Sequence, residues 1–122
     1  MNSGVRSVAL AGTLLSLLAV FQAALGSHLV DLKDLGDIWR TATLIHMFNA
    51  VALIGLAGLL AIRESMVLKW GAWLILLGTV IFCGSIYAHV IGGHLLRGVA
   101  PLGGLMMMAG WLLSTLTFLR KA

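Results

Sequence analysis

Charged side chains are scarce in this sequence: Asp, Glu, Lys and Arg make up 10% of the 122 residues, against about 25% in an average soluble domain. Hydrophobic residues make up 61%. A soluble protein of this size keeps a large part of its surface in contact with water, so it could not bury that much apolar surface. The composition excludes a soluble globule and indicates a single unit embedded in lipid.

Recognisable catalytic arrangements are missing as well. The sequence has no Ser/His/Asp arrangement of familiar spacing, no carboxylate pair placed for acid–base work and no glycine-rich phosphate loop. Its apolar stretches contain no Asp, Glu, Lys or Arg, although proton- or ion-coupled carriers usually place such a residue inside the membrane. We therefore expect a non-enzymatic protein without a cofactor.

The single cysteine excludes a disulfide within the chain, and the pattern of charge excludes a nucleic-acid-binding protein. Cys83 has no second cysteine to pair with, and its position in an apolar run is typical of a small core residue. The formal net charge is +4, but the basic residues are scattered between apolar blocks and form no stripe. Nucleic acid is therefore excluded as a partner, and the expected partner is the lipid bilayer.

Four uncharged stretches are long enough to cross a bilayer, which takes about 20 helical residues for ~30 Å of hydrocarbon. They are residues 7–26, 41–62, 70–91 and 99–119. The links between them are short and favour antiparallel neighbours. The sequence predicts an all-α integral membrane four-helix bundle of up-down topology, a single domain over residues 1–122. The first stretch also resembles a secretory signal, but its apolar run exceeds the usual ~7–15 residues.

The distribution of Lys and Arg predicts which way the chain is inserted. The side that holds both chain ends carries Arg6, Arg63, Lys69, Arg120 and Lys121, and the other side carries Lys33, Arg40 and Arg97. Basic residues are enriched in cytoplasmic loops. We therefore expect both termini in the cytoplasm. Between the first two spans, Leu32, Leu35 and Ile38/Trp39 recur at helical spacing with charges between them, which predicts a short interfacial helix with Trp39 at headgroup depth.

Small residues at intervals of about four positions predict where the helices touch, because they let two backbones approach closely in lipid. The predicted contact residues are Ala19, Ala23 and Ser27 in the first span, Gly84, Ala88 and Gly92 in the third, and Gly103, Gly104 and Gly110 in the fourth.

Polar side chains in or near the spans are few, and they are the candidates for a site. They are Gln22, His28, His46, Asn49, Ser85, Tyr87, His89 and His94. The four histidines fall toward one side of the membrane, so they are candidate ligands for a transition metal or haem. Alternatively they form hydrogen bonds only, because no pair has the i, i+4 spacing of a helical metal site.

A polar network is the second interpretation of the same residues, and His46 is central to it. His46 lies well inside the second span and three residues before Asn49, so both project from one face of the helix. An unpaired polar group in hydrocarbon is costly, and a neutral imidazole can link two helices. We expect His46 to bond across helices to Tyr87, Ser85 or Gln22.

Four segments in order carry a family resemblance: Leu25-Gly26-Ser27-His28-Leu29, Ile45-His46-Met47-Phe48-Asn49-Ala50, Gly84-Ser85-Ile86-Tyr87 and Ala100-Pro101-Leu102-Gly103-Gly104. The chain resembles the small bacterial membrane proteins grouped as domain of unknown function 423, which are related to the eukaryotic transmembrane protein 256. The resemblance implies a four-span protein of the bacterial inner membrane and supplies no activity. His28 and His46 match positions where the family typically has histidine, whereas Asn49 replaces a frequent second histidine.

Two functional hypotheses follow. In the first, the protein is a non-enzymatic bundle that forms a homo-oligomer or is an accessory or assembly subunit of a larger membrane complex. In the second, it is a small carrier or metal-binding protein that uses the histidine cluster.

Overall fold

The computed structural model describes residues 2–28, 36–92 and 97–119, and the backbone in these ranges is almost entirely helical. The α-helices are α1 Ser3–His28, α2 Gly36–Ile62, α3 Met66–Gly92 and α4 Ala100–Leu119, and a 3₁₀ turn Arg97–Val99 precedes α4. Each α-helix is long and apolar enough to cross a membrane. The predicted four spans are confirmed.

Polar side chains fix the start of two helices at the same end of the bundle. Asn2 Oδ1 accepts a hydrogen bond from the Val5 N–H at 2.8 Å, and Ser65 Oγ accepts one from the Leu68 N–H at 3.2 Å. These caps satisfy N–H groups that have no partner within the first helical turn. We call this the Asn2 end of the bundle. The opposite end, where α2 begins and α3 stops, is the Gly36 end.

Part of the predicted interfacial helix belongs to α2. Residues 36–40 form the first turns of α2, which continues without a break to Ile62, while residues 29–35 lie outside the described part of the chain. Trp39 is buried, with 5% of its surface exposed, and its ring centroid lies 4.9 Å from that of Tyr87. The indole therefore packs against Tyr87 of α3.

Two pairs of glycines bring the backbones of α3 and α4 together. A Cβ added to Gly110 would lie 2.6 Å from the carbonyl oxygen of Gly71, and one added to Gly78 would lie 2.7 Å from that of Gly103. The two glycines on each helix are seven residues apart, so they repeat on one face. No side chain could occupy these positions without pushing the antiparallel helices apart.

Several of the predicted small contact residues lie inside the bundle. Gly103 and Gly110 are two of the paired glycines, and Ala19 in α1 is 2% exposed. The side chain of Ser27 lies outside what the structure describes. Ala23 is half-buried. Gly104, next to Gly103, makes only an ordinary contact, since an added Cβ would be 3.9 Å from Phe82 Cδ2.

The predicted stripe on α3 is placed differently. A Cβ added to Gly84 or Gly92 would meet no atom within 4 Å, and Ala88 is half-buried. Within the described chain, the two glycines of this stripe therefore do not contact another helix, and Gly71 and Gly78 make the close approach instead. The reason is geometric: α4 begins only three residues before Gly103 and does not extend alongside Gly92, and Gly84 lies six residues from Gly78, which places it on a different face of α3.

The apolar core is concentrated toward the Asn2 end. Its members from α1, α2 and α3 include Val8, Leu53, Leu68 and Ile75, each at most 2% exposed. The polar side chains that hydrogen-bond between helices lie at mid-membrane and toward the Gly36 end. The fold thus places the candidate site in one half of the bundle.

Candidate functional site

Asn49 lies at the centre of α2 and connects three helices. It is thirteen residues from Gly36 and thirteen from Ile62, so it sits near the bilayer midplane. Its Nδ2 donates to Thr79 Oγ1 in α3 at 2.9 Å and to Met107 Sδ in α4 at 3.0 Å. Its Oδ1 accepts from Trp111 Nε1 in α4 at 3.1 Å. Both amide N–H groups and the carbonyl are used, which is what a buried amide in hydrocarbon requires.

His46 lies one turn away on α2, toward the Gly36 end, and connects α2 to α3. Its Nδ1 is 3.0 Å from Tyr87 Oη, so Tyr87 is the one of the three expected partners that the structure pairs with it. The thiol of Cys83 donates to the Ala42 carbonyl at 3.3 Å and makes a second link between the same two helices. Tyr87 in turn packs against Trp39.

The other ring nitrogen of His46 is buried and has no hydrogen-bond partner among the described residues. The side chain as a whole is 5% exposed. The backbone carbonyl of Leu15 approaches the ring from α1, but it does not meet normal hydrogen-bond geometry with Nε2. A buried nitrogen without a good partner is unusual in a folded protein and calls for an explanation.

Gln22 connects α1 to α2 closer to the Gly36 end. Its Nε2 donates to Thr43 Oγ1 at 3.1 Å, and the Thr43 hydroxyl donates to the Trp39 carbonyl at 2.8 Å. With Asn49 and His46, this pair gives α2 a side-chain hydrogen bond to each of the other three helices. α2 is therefore the hub of the polar network.

A cavity of about 260 Å³ lies between α1 and α3, with His46 of α2 in its wall. Its rim includes lipid-facing side chains: Leu18 is 45% exposed, Phe21 61% and Val80 50%. Gly84 also lines it and leaves open space where a side chain would stand. The cavity is therefore open to the hydrocarbon of the bilayer.

Not every predicted polar residue joins this network. Ser85 Oγ donates to the Ile81 carbonyl of its own helix. His89 is half-buried in the last turn of α3. The side chain of His28 and the whole of His94 lie outside what the structure describes. Within residues 2–28, 36–92 and 97–119, no group of three His, Cys, Asp or Glu side chains is placed to hold a metal ion.

Sequence reasoning missed four partners in the network, namely Thr43, Thr79, Met107 and Trp111. The threonine hydroxyls were easy to overlook because each can also bond to its own helix, as Thr79 does to the Ile75 carbonyl at 2.6 Å. A usable signal was available for Thr79. It lies at the centre of α3, thirteen residues from each end, opposite the central residue of α2.

The chain is similar to bacterial membrane proteins. It is 33% identical over 107 residues to the UPF0382 membrane protein SH2409 of Staphylococcus haemolyticus, covering 84% of this chain and 86% of that protein. It is 34% identical over 95 residues to the UPF0382 inner membrane protein YgdD of Escherichia coli K12, covering 74% and 72%. No solved structure gives a significant match.

The family model described as "Protein of unknown function (DUF423)" matches residues 22–104. This stretch includes Gln22, His46, Asn49 and Tyr87, so it covers most of the polar network and the wall of the cavity. The resemblance seen in the sequence is confirmed. The chain belongs to the DUF423 family of membrane proteins of unknown function.

Proposed function

We propose that this protein is a non-enzymatic bundle of the bacterial inner membrane that assembles with itself or with a larger membrane complex, with both termini in the cytoplasm. The observation that supports assembly is the stripe Gly84, Ala88 and Gly92 on α3. Its two glycines are exposed and have open space beside them. In lipid, where apolar surface alone does not drive helices together, small residues mark the faces on which another helix packs.

The polar network supports a structural role for the rest of the bundle. Asn49 uses both of its amide N–H groups and its carbonyl oxygen in hydrogen bonds to α3 and α4, so it has no N–H group left to donate to a substrate. The close glycine contacts between α3 and α4 likewise hold the two helices in one fixed arrangement. A rigid bundle with an open small-residue face suits an assembly subunit.

Replacing Ala88 by leucine tests the proposal. The larger side chain would hold a partner helix away from the stripe, so the oligomer or the co-purified complex should be lost while the fold is kept. Ala109→Leu is the matched control, because Ala109 is also exposed but lies on α4, away from the stripe.

The measurement is the mass of the particle purified untagged in mild detergent, by sedimentation or native mass spectrometry. A bare single chain in the unmodified protein would contradict assembly. An assembly that both variants disturb equally would contradict the stripe as its contact face.

A further inference from the structure

We infer that the cavity between α1 and α3 binds a lipid-soluble molecule with a ring carbonyl, of the quinone class, and that His46 Nε2 donates a hydrogen bond to that carbonyl. The inference concerns a ligand site and does not depend on the assembly proposed above. It rests on the unpartnered nitrogen, on the depth of the site and on the residues around the cavity.

The tautomer of His46 can be worked out from its neighbours. Nδ1 is engaged by Tyr87, and the Leu15 carbonyl approaches the ring from the other helix. A carbonyl oxygen and an unprotonated ring nitrogen repel each other because both carry lone pairs, whereas a carbonyl oxygen and an N–H group do not. The arrangement therefore favours the proton on Nε2, with the Tyr87 hydroxyl donating to Nδ1. An N–H at Nε2 selects a ligand with an acceptor oxygen.

The depth of His46 excludes the polar parts of ordinary phospholipids. His46 is three residues from the centre of α2, or about 4.5 Å along the helix axis. The hydrocarbon layer extends about 15 Å from the midplane to each headgroup region. A ligand carbonyl at this level must therefore belong to a molecule whose head is itself soluble in hydrocarbon.

The cavity has the size and the walls for a ring. About 260 Å³ is far more than one water requires and just below the range of pockets for drug-sized ligands. Phe21 and Tyr87 contribute aromatic surface, and Leu18, which is 45% exposed, also lines the cavity. Because Nε2 is itself buried, a side chain of the cavity wall must move before the ligand can reach it. The apolar tail of the ligand would extend out of the cavity between α1 and α3.

The direct test is nuclear magnetic resonance on protein that carries ¹⁵N-labelled histidine in lipid nanodiscs. His46→Leu identifies the His46 signals. Decylubiquinone is titrated as the probe, and decylbenzene, which has the ring and tail without the carbonyl, is the matched control. We expect a saturable shift of the Nε2 signal with the quinone, and binding about threefold to tenfold tighter than for decylbenzene, the range that one modest hydrogen bond provides.

A second variant tests the cavity without changing His46, so the test does not depend on whether the His46→Leu protein folds. Gly84→Leu would fill the open space at the cavity wall and should abolish quinone binding while leaving the His46 signals of the free protein in place. Gly55→Leu, on an open face of α2 outside the cavity, should bind like the unmodified protein. An Nε2 signal that does not respond to the quinone, or equal binding of the two probes, would overturn the inference.

Discussion

The glycine contact between α3 and α4 gives the sharpest prediction, because two adjacent residues of α4 provide the comparison. Gly103→Ala puts a methyl group against backbone atoms: the Gly78 carbonyl oxygen at 2.7 Å and the Phe82 Cα at 2.9 Å, with the Phe82 nitrogen also in the way. Backbone cannot rotate aside as a side chain can, so α4 must move. Gly104→Ala meets only Phe82 Cδ2 at 3.9 Å, an ordinary contact.

The two variants carry the same change in helix propensity, which favours alanine by up to about 1 kcal/mol. Their difference in free energy of unfolding therefore reports the contact alone. Overpacking of a closely packed site costs about 1–3 kcal/mol. We expect Gly103→Ala to be less stable than Gly104→Ala by that amount, and Gly104→Ala to be as stable as the unmodified protein or slightly more so.

The assay is reversible unfolding in mixed micelles with increasing sodium dodecyl sulfate, followed by circular dichroism. Both variants are measured with the unmodified protein under identical conditions. Stabilities of Gly103→Ala and Gly104→Ala that agree within about 0.5 kcal/mol, the usual scale of a neutral substitution, would refute the close contact of α4 with α3.

Three further predictions concern the network and the orientation. Asn49→Leu strands the Trp111 N–H and should cost about 1–3 kcal/mol, more than Trp111→Phe, in the same unfolding assay; the reverse order would contradict the hub role of Asn49. A cysteine at Ser3 should resist a membrane-impermeant thiol reagent in intact cells while one at Asp34 reacts, in an otherwise cysteine-free chain, and the opposite labelling would reverse the orientation. Elemental analysis should find no stoichiometric transition metal, and His46→Gln should fold normally; a bound metal that this variant loses would favour the histidine-site hypothesis.

The existence of four spans could be predicted from the sequence because it depends on a one-dimensional property. A stretch of about 20 uncharged residues is enough to identify a span, whatever its neighbours. The pairing of His46 with another helix could also be predicted from the sequence, because a buried imidazole in hydrocarbon needs a partner and few polar side chains are available. Tyr87 was among three named possibilities, and only the structure chose between them.

The faces of the helices could not be predicted in the same way, because lipid and the protein interior are both apolar. Leu10 is 65% exposed and Leu15 is 8% exposed on the same helix, although the two residues are chemically identical. In a soluble protein, polar residues would mark the outer face. Here the pattern of hydrophobicity carries little information about which side faces a neighbouring helix.

The choice among glycines shows what tertiary structure alone decided. Gly71, Gly78, Gly84 and Gly92 all lie on α3, and the sequence favoured the last two for their four-residue spacing. The structure uses the first two, because α4 begins at Ala100 and does not extend alongside Gly92, while Gly84 lies on a different face of α3 from Gly78. The amino-acid composition and the length of the apolar stretches determined that this chain spans a membrane as four helices. The lengths and offsets of the packed helices determined which residues are in contact, and they place His46 in the wall of a cavity.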